Sequence, residues 1–267
     1  KPVISLGFKQ MVMVMRIMKF GGASVATPES FHRIAEIISQ QADQKIVVVV
    51  SAMGQTTDNL LKLAKEVHPE PPNRELDMLV SVGERISIAL LAMALSLQGR
   101  EALSFTGSQS GIITSTKHSQ ANIIDLRPKR VLEALEQKKV AIVAGFQGVS
   151  KQGEITTLGR GGSDTSAVAL AVALGADAVH FYKDVEGIYT ADPKTDKDAY
   201  LLDEVSYEGA LELAQKGAKI LHPRAIELAR KNGVQLYVRT FKKDSQIGTI
   251  VGKGILRNAA IEYEGEN

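Results

Sequence analysis

The strongest constraint on the fold is an alternation that runs through most of the chain. Short β-branched runs, such as Val12–Phe20 and Ile46–Ser51, read as buried strands and are separated by segments of helical period. Thr27-Pro28-Glu29 supplies a cap, a first-turn proline and an acid at the positive end of a helix that continues through Ile34 and Ile38. Further helices are predicted over Thr57–Val67 and from about Glu75 to Leu97, with His68–Asn73 as the break between them. The pattern resumes with a strand at Ala102–Phe105, a helix at Pro128–Lys138 and a strand at Val140–Phe146. An alanine-rich helix then ends near Gly175, followed by a strand at Ala178–Lys183, helices at Tyr207–Lys216 and Arg224–Lys231, and a strand at Val234–Phe241. Strands spaced by helices imply an α/β fold with a largely parallel sheet covered on both faces.

Composition narrows the function classes. With 267 residues, 44% hydrophobic and 23% charged, the chain fits one large α/β unit or two closely joined lobes. Lysine plus arginine (32) nearly balance aspartate plus glutamate (30), giving no reason to expect nucleic acid or an acidic membrane as a partner. No cysteine is present, which excludes disulfides and cysteine nucleophiles. The longest apolar run, Ile86 to Leu97, is too short to span a bilayer, and the N-terminal segment lacks a signal-peptide pattern. A cytoplasmic location is expected, with residues 1–15 read as an extension.

Two glycine-rich turns carry the chemistry. Lys19-Phe-Gly-Gly-Ala-Ser24 follows the first strand, and Gly159-Arg-Gly-Gly-Ser-Asp164 precedes a helix. Neither is G-x-x-x-x-G-K-[ST] or G-x-G-x-x-G, which disfavours a common P-loop ATPase or Rossmann dehydrogenase. Glycines admit an anion close to backbone N–H groups, and a helix N-terminus adds a favourable dipole. Each loop alone is equally compatible with a tight strand-to-helix turn. Asp164 and Ser163 fit either helix capping or the positioning of lysines or Mg²⁺ around a phosphoryl group, and Arg160 offers a fork for a carboxylate. Glu84 lies in an apolar helix, where an acid is ordinarily exposed or paired. The five histidines, His32, His68, His118, His180 and His222, show no metal-ligand spacing and are read as structural.

Six segments, in order, resemble the motifs of the aspartate kinase family. They are Lys19-Phe-Gly-Gly-Ala-Ser-Val25, Ser51-Ala-Met-Gly-Gln-Thr-Thr-Asp58, Ser81-Val-Gly-Glu-Arg85, Gly159-Arg-Gly-Gly-Ser-Asp164, Lys183-Asp-Val-Glu-Gly-Ile-Tyr-Thr-Ala-Asp-Pro193 and Gly217-Ala-Lys-Ile-Leu-His-Pro223. The resemblance implies the amino-acid kinase fold, a three-layer α/β/α sandwich. An amino-acid lobe would cover about residues 16–175 and a nucleotide lobe about 176–261, with no C-terminal ACT domain. It implies phosphorylation of the side-chain carboxylate of L-aspartate by ATP with Mg²⁺, the first step toward lysine, threonine and methionine, by a homodimer.

By motif position, the resemblance makes Lys19, Asp164 and Lys219 catalytic. Ser51, Thr57, Glu84, Arg160 and Ser163 would bind the amino acid. Lys19, Gly21, Gly22, Ser24, Lys183, Asp184, Tyr189, Lys194, Lys219 and Ile220 would bind ATP. Two positions depart from the family pattern: Ala23 replaces a common threonine, and Lys183 a small hydroxyl residue. A carboxylate nucleophile is already ionised at neutral pH, so no general base is needed. Another kinase of the same fold, acting on acetylglutamate, glutamate or a nucleotide, and a non-catalytic amino-acid- or nucleotide-binding regulatory subunit are the alternatives.

Overall fold

A computed structural model of the chain describes residues 15–41, 44–218, 220–242, 247–252 and 260–266. The predicted strand start at 12–14 and all but the last residue of the extension expected over 1–15 therefore lie outside the described residues; Met15 belongs to the first strand. The strands are β1 (Met15–Phe20), β2 (Lys45–Val50), β3 (Ala102–Phe105), β4 (Ile112–Thr114), β5 (Ile123–Leu126), β6 (Val140–Ala144), β7 (Gln147–Ser150), β8 (Ile155–Thr157), β9 (Ala178–Lys183), β10 (Glu204–Val205), β11 (Gln235–Thr240) and β12 (Ile247–Val251). The helices are α1 (Pro28–Ser39), α2 (Thr56–Val67), α3 (Asn73–Val80), α4 (Val82–Leu97), α5 (Lys129–Glu136), α6 (Gly162–Leu174), α7 (Tyr207–Gln215) and α8 (Pro223–Asn232).

Eight strands form the central sheet in the order β10-β12-β11-β9-β1-β2-β6-β3. Every neighbouring pair in it is parallel except β11 with β12. Side-chain alternation divides the core into two layers. Ile17, Val47, Val49, Val179 and Phe181 face α5, α6, α7 and α8, whereas Met18, Phe20, Val48, Val50 and Ile142 face α1 and α4. This is the three-layer α/β/α arrangement expected of the family. Strands covered on both faces can be apolar throughout, and β2 reads Lys-Ile-Val-Val-Val-Val with only its first residue less than buried.

Helix α6 is buried from Gly162 to Val172 without a polar outer face. Its alanine-rich sequence lets it sit between the sheet and α8, where a helix with a charged face would not fit. Helices α3 and α4 follow each other with only Ser81 between them, close to helical in its backbone (φ −64°, ψ −11°). The expected single helix is thus two, nearly continuous. Asn73–Leu97 is long and apolar enough to cross a membrane by length and composition, a longer stretch than the Ile86–Leu97 run. Half of its most apolar window is buried inside the fold, and Leu91 and Leu95 are fully buried against α1 and the sheet.

A second sheet, in the order β5-β4-β7-β8, was not expected from the sequence. Its strands have only three or four residues, too few to display a period of two. It is tied to α3 by Asp77, which is fully buried. Asp77 accepts hydrogen bonds from the Thr157 backbone N–H (3.1 Å) and hydroxyl (2.6 Å) and from the Ser119 N–H (3.0 Å), while His118 Nδ1 lies at 2.8 Å. Removing this acceptor leaves several donors unpaired in the interior. Asp77→Ala is therefore expected to lower unfolding free energy by about 3 kcal/mol. Urea denaturation checks this; a loss below about 0.5 kcal/mol would show that the hub is dispensable.

Candidate active site

The carboxyl ends of the parallel strands open onto a cavity of about 1130 Å³. Its lining includes Lys19 from the end of β1, Ser51 just after β2, Thr57 in the first turn of α2 and Glu84 in the first turn of α4. The loop 159–164 closes it with Arg160, Ser163 and Asp164. These seven side chains, spread over most of the sequence, were the amino-acid and catalytic candidates, and the fold brings them together.

Lys19 and Lys183 leave the sheet on the same face, from adjacent parallel strands whose register pairs Lys19 with Phe181. Both meet Asp164 in the first turn of α6. Lys19 Nζ lies 2.6 Å from Asp164 Oδ1 as an ion pair, and Lys183 Nζ donates to Oδ2 at 3.4 Å. Burial alone would raise the Asp164 carboxyl, but the charges of Lys183 and Lys19 outweigh it and bring the pKa down to about 2. The Lys183 pKa is lowered too, but for a cation that disfavours the charged form. Burial and repulsion from Lys19 lower its ammonium to about 8, against the opposing pull of Asp164.

Glu84 is only 3% exposed. Its Oε1 accepts the Ala52 N–H at 3.1 Å, while Oε2 is buried without a hydrogen-bond partner among the described residues. Burial pushes its pKa up to about 8, tempered by the Ala52 hydrogen bond and the charge of Lys19. An acid held this way gains from a cation placed at Oε2. Arg160 is exposed to the cavity, carried between Gly159 (φ +72°) and Gly161 (φ +73°). At Gly161 a Cβ would fall 2.0 Å from the His222 ring, so only glycine permits this approach.

The remaining candidates are distributed differently. Gly21 and Gly22 open the short turn Gly22–Val25 after β1, and the Gly21 carbonyl accepts from the N–H groups of Ser24 and Val25. The buried Ser24 hydroxyl donates to the Tyr182 carbonyl at 3.2 Å, tying the first loop to β9. Asp184, Tyr189 and Lys194 lie on the segment after β9 and do not line the cavity, and Ile220 is partly buried against the core. Lys219 lies outside the described residues. The described residues contain no group of three or more His, Asp or Glu side chains arranged to hold a metal. Asp164 is engaged by two lysines, so its carboxylate is already taken up by cations of the chain itself.

Several lining residues had no legible signal in the sequence. Phe146 and Ser119 both line the cavity with positive φ (69° and 66°), a conformation that costs energy for non-glycine residues and concentrates at functional sites. His222, read as structural, caps α8 by accepting from the Arg224 N–H and also lines the cavity. Arg224 and Lys117 add positive charge to the same wall.

The profile of the Amino acid kinase family matches residues 15–240. An aspartokinase of Mycolicibacterium smegmatis is 51% identical over 94% of this chain and 60% of its own length. One from Corynebacterium glutamicum is 49% identical over 94% and 60%. The chain thus spans about 60% of the length of the curated relatives it matches. Among solved structures, the aspartate kinase from Synechocystis superposes with a TM-score of 0.81 at 46% identity, covering 91% of this chain and 41% of that one. E. coli aspartokinase III in complex with aspartate and ADP also gives 0.81, at 29% identity, covering 89% and 64%. With the family profile spanning most of the sequence and the α/β/α sandwich beneath it, the chain belongs to the amino acid kinase family.

Proposed function

We propose that the chain transfers the γ-phosphoryl group of MgATP to the side-chain carboxylate of L-aspartate, giving 4-phospho-L-aspartate and ADP. The observation that carries this reading is the charge layout of one cavity. Lys19 and Asp164, the latter also paired with Lys183, stand in one lining with a buried acid and an exposed arginine, Glu84 and Arg160. The names of the relatives and the aspartate-and-ADP complex of the E. coli enzyme support it.

Arg160 would take the α-carboxylate through its planar fork, and Glu84 the ammonium group, with Ser51, Thr57 and Ser163 completing the pocket. The free side-chain carboxylate is then the nucleophile. It attacks the γ-phosphorus as the bond to the β,γ-bridging oxygen breaks, and ADP carries away the electron pair. Lys19 and Lys183 would neutralise charge on the transferring oxygens, with N–H groups of the Gly21–Gly22 turn as further donors. Mg²⁺ supplies charge neutralisation on the phosphates. Lys219, Asp184, Tyr189, Lys194, Ser24 and Ile220 belong to the proposed nucleotide side. A homodimer and a cytoplasmic location accompany this reading. A nucleotide substrate fits less well, because Glu84 with its unpaired oxygen favours a cationic group.

A coupled ADP-release assay with and without L-aspartate, run beside acetylglutamate, glutamate and nucleoside monophosphates, tests the substrate. Aspartate-dependent turnover is expected, and Lys19→Ala should lower it by a factor of ~10² or more. Folded protein without aspartate-dependent turnover would sink the proposal.

The pH dependence separates the two ends of the site. Lys183 acts protonated, so kcat/KM for MgATP is expected to fall as pH rises through about 8. Lys183→Met should lower the plateau and remove that limb; an unchanged profile would take Lys183 out of phosphoryl stabilisation.

Glu84 acts ionised, so kcat/KM for aspartate should rise with pH through about 8. The same shift opposes folding. The folded pKa lies above the unfolded value, so the folded chain holds a proton that the unfolded chain has released, and stability falls as pH climbs from 4.5 toward 8. Glu84→Gln should match the parent near pH 4.5 and exceed it in stability by on the order of 2 kcal/mol at pH 8, while losing aspartate turnover. Denaturation curves at both pH values check the sign.

A further inference from the structure

The loop that carries Arg160 is held from behind by a residue far along the chain. Its two left-handed glycines leave little in the loop itself to fix the arginine's direction. Its anchors come from the start of α8: the His222 ring packs on Gly161, and Arg224 Nη1 donates to the Leu158 carbonyl immediately before the loop. Arg224 Nη2 also donates to the Ala121 carbonyl at 3.0 Å, and Asn122 Oδ1 lies at 3.4 Å, which ties the loop to the entry of β5.

What holds Arg224 is Glu264. Its carboxylate accepts from Nε at 2.8 Å and Nη2 at 3.0 Å, a bidentate pair with both partners mostly shielded from solvent. Glu264 is itself fixed by the β5 edge: Oε2 accepts the Ile123 N–H at 2.8 Å and its own N–H donates to the Ile123 carbonyl at 3.0 Å. On either side, Asn232 exchanges two hydrogen bonds with the Glu262 backbone, and Glu266 pairs with Lys151 at 2.5 Å. The segment 260–266 is therefore a strap whose half-buried Glu264 carboxylate orients an arginine in the cavity wall.

We propose that Glu264, acting through Arg224, is a positioning residue that sets the Arg160 loop to receive the substrate's carboxylate; this rests on the aspartate kinase reading. Without Glu264, Arg224 loses two of its charge-assisted bonds and its guanidinium is free to turn into the cavity. The Leu158 anchor then loosens, and Arg160 pays an ordering cost on every binding event. Lys19, Asp164 and Lys183 are held by other contacts, so phosphoryl transfer in the saturated complex is unaffected.

The test compares the parent chain with Glu264→Gln, and with Arg224→Lys, which keeps the charge but not the fork. Each variant should raise KM for aspartate about ten-fold, the loss of roughly one charge-assisted bond, with kcat and KM for MgATP within two-fold of the parent. Hydrogen exchange followed by mass spectrometry should show faster exchange at 158–162 and unchanged exchange in β2. That second readout separates two failures. If the parent shows no aspartate turnover, the functional reading falls and loop exchange alone decides whether the strap holds the loop. Unchanged loop exchange, an unchanged aspartate KM, or a parallel fall in all kinetic constants with faster exchange throughout the chain would each overturn the proposal.

Discussion

Everything around the cavity depends on one carboxylate shared between two ammonium groups. Lys19 and Lys183 come from neighbouring strands and point to the same side, so in a weakly solvated interior they repel each other. Asp164 between them makes that arrangement tolerable, and the N-terminal end of α6 adds its dipole in favour of the negative charge. A buried ionic triad of this kind is a poor source of stability, because each charge has been taken out of water. On the proposed reading its value lies in geometry: two cations are held at fixed spacing before an anion arrives, with no reorganisation left to do when charge develops. The fold serves that placement. The parallel β1–β9 register puts Lys183 two residues beyond the partner of Lys19 and so on the same face, and the all-buried α6 can approach the strands closely enough for its first turn to reach them.

The same cavity contains a second carboxylate with the opposite behaviour. Asp164 lies between two cations and stays ionised far below neutrality, whereas Glu84 has one hydrogen bond, one orphaned oxygen and a raised pKa. Environment, not residue type, separates them. An acid that is costly to ionise when alone becomes easy to ionise beside an ammonium group, so on the proposed reading Glu84 answers to the substrate, whereas Asp164 answers to the chain's own lysines.

Much of this was legible from residues alone. The β-branched runs of β1, β2 and β6 and the Thr27-Pro28 helix start gave the parallel sheet, because strands buried on both faces must be apolar throughout. The glycine loops stood out as turns at strand ends and helix starts, though each alone fitted a tight turn as well as an anion site. The second sheet was not legible: strands of three or four residues carry no period. Glu84 was ambiguous for a related reason, because an acid in an apolar helix looks the same whether it faces solvent or a cavity. The positive φ values of Phe146 and Ser119 leave no trace in composition. They are imposed by the chain around them, as where the Phe146 carbonyl accepts the Leu158 N–H.

Arg224 illustrates a more general limit. Its partners lie 40, 66, 102 and 103 residues away, so no local window contains the reason for its presence. Residues that touch a substrate tend to sit in recognisable turns, because close approach to an anion requires particular backbones. A residue that fixes such a turn from behind needs only reach and the right donors, and any helix start that passes nearby can supply it. The histidine beside it was read as structural on sound local grounds, yet His222 forms part of the cavity wall as well as a helix cap. The division between structural and functional residues therefore weakens at α8, where the same two side chains that begin a helix also determine how a glycine loop is held.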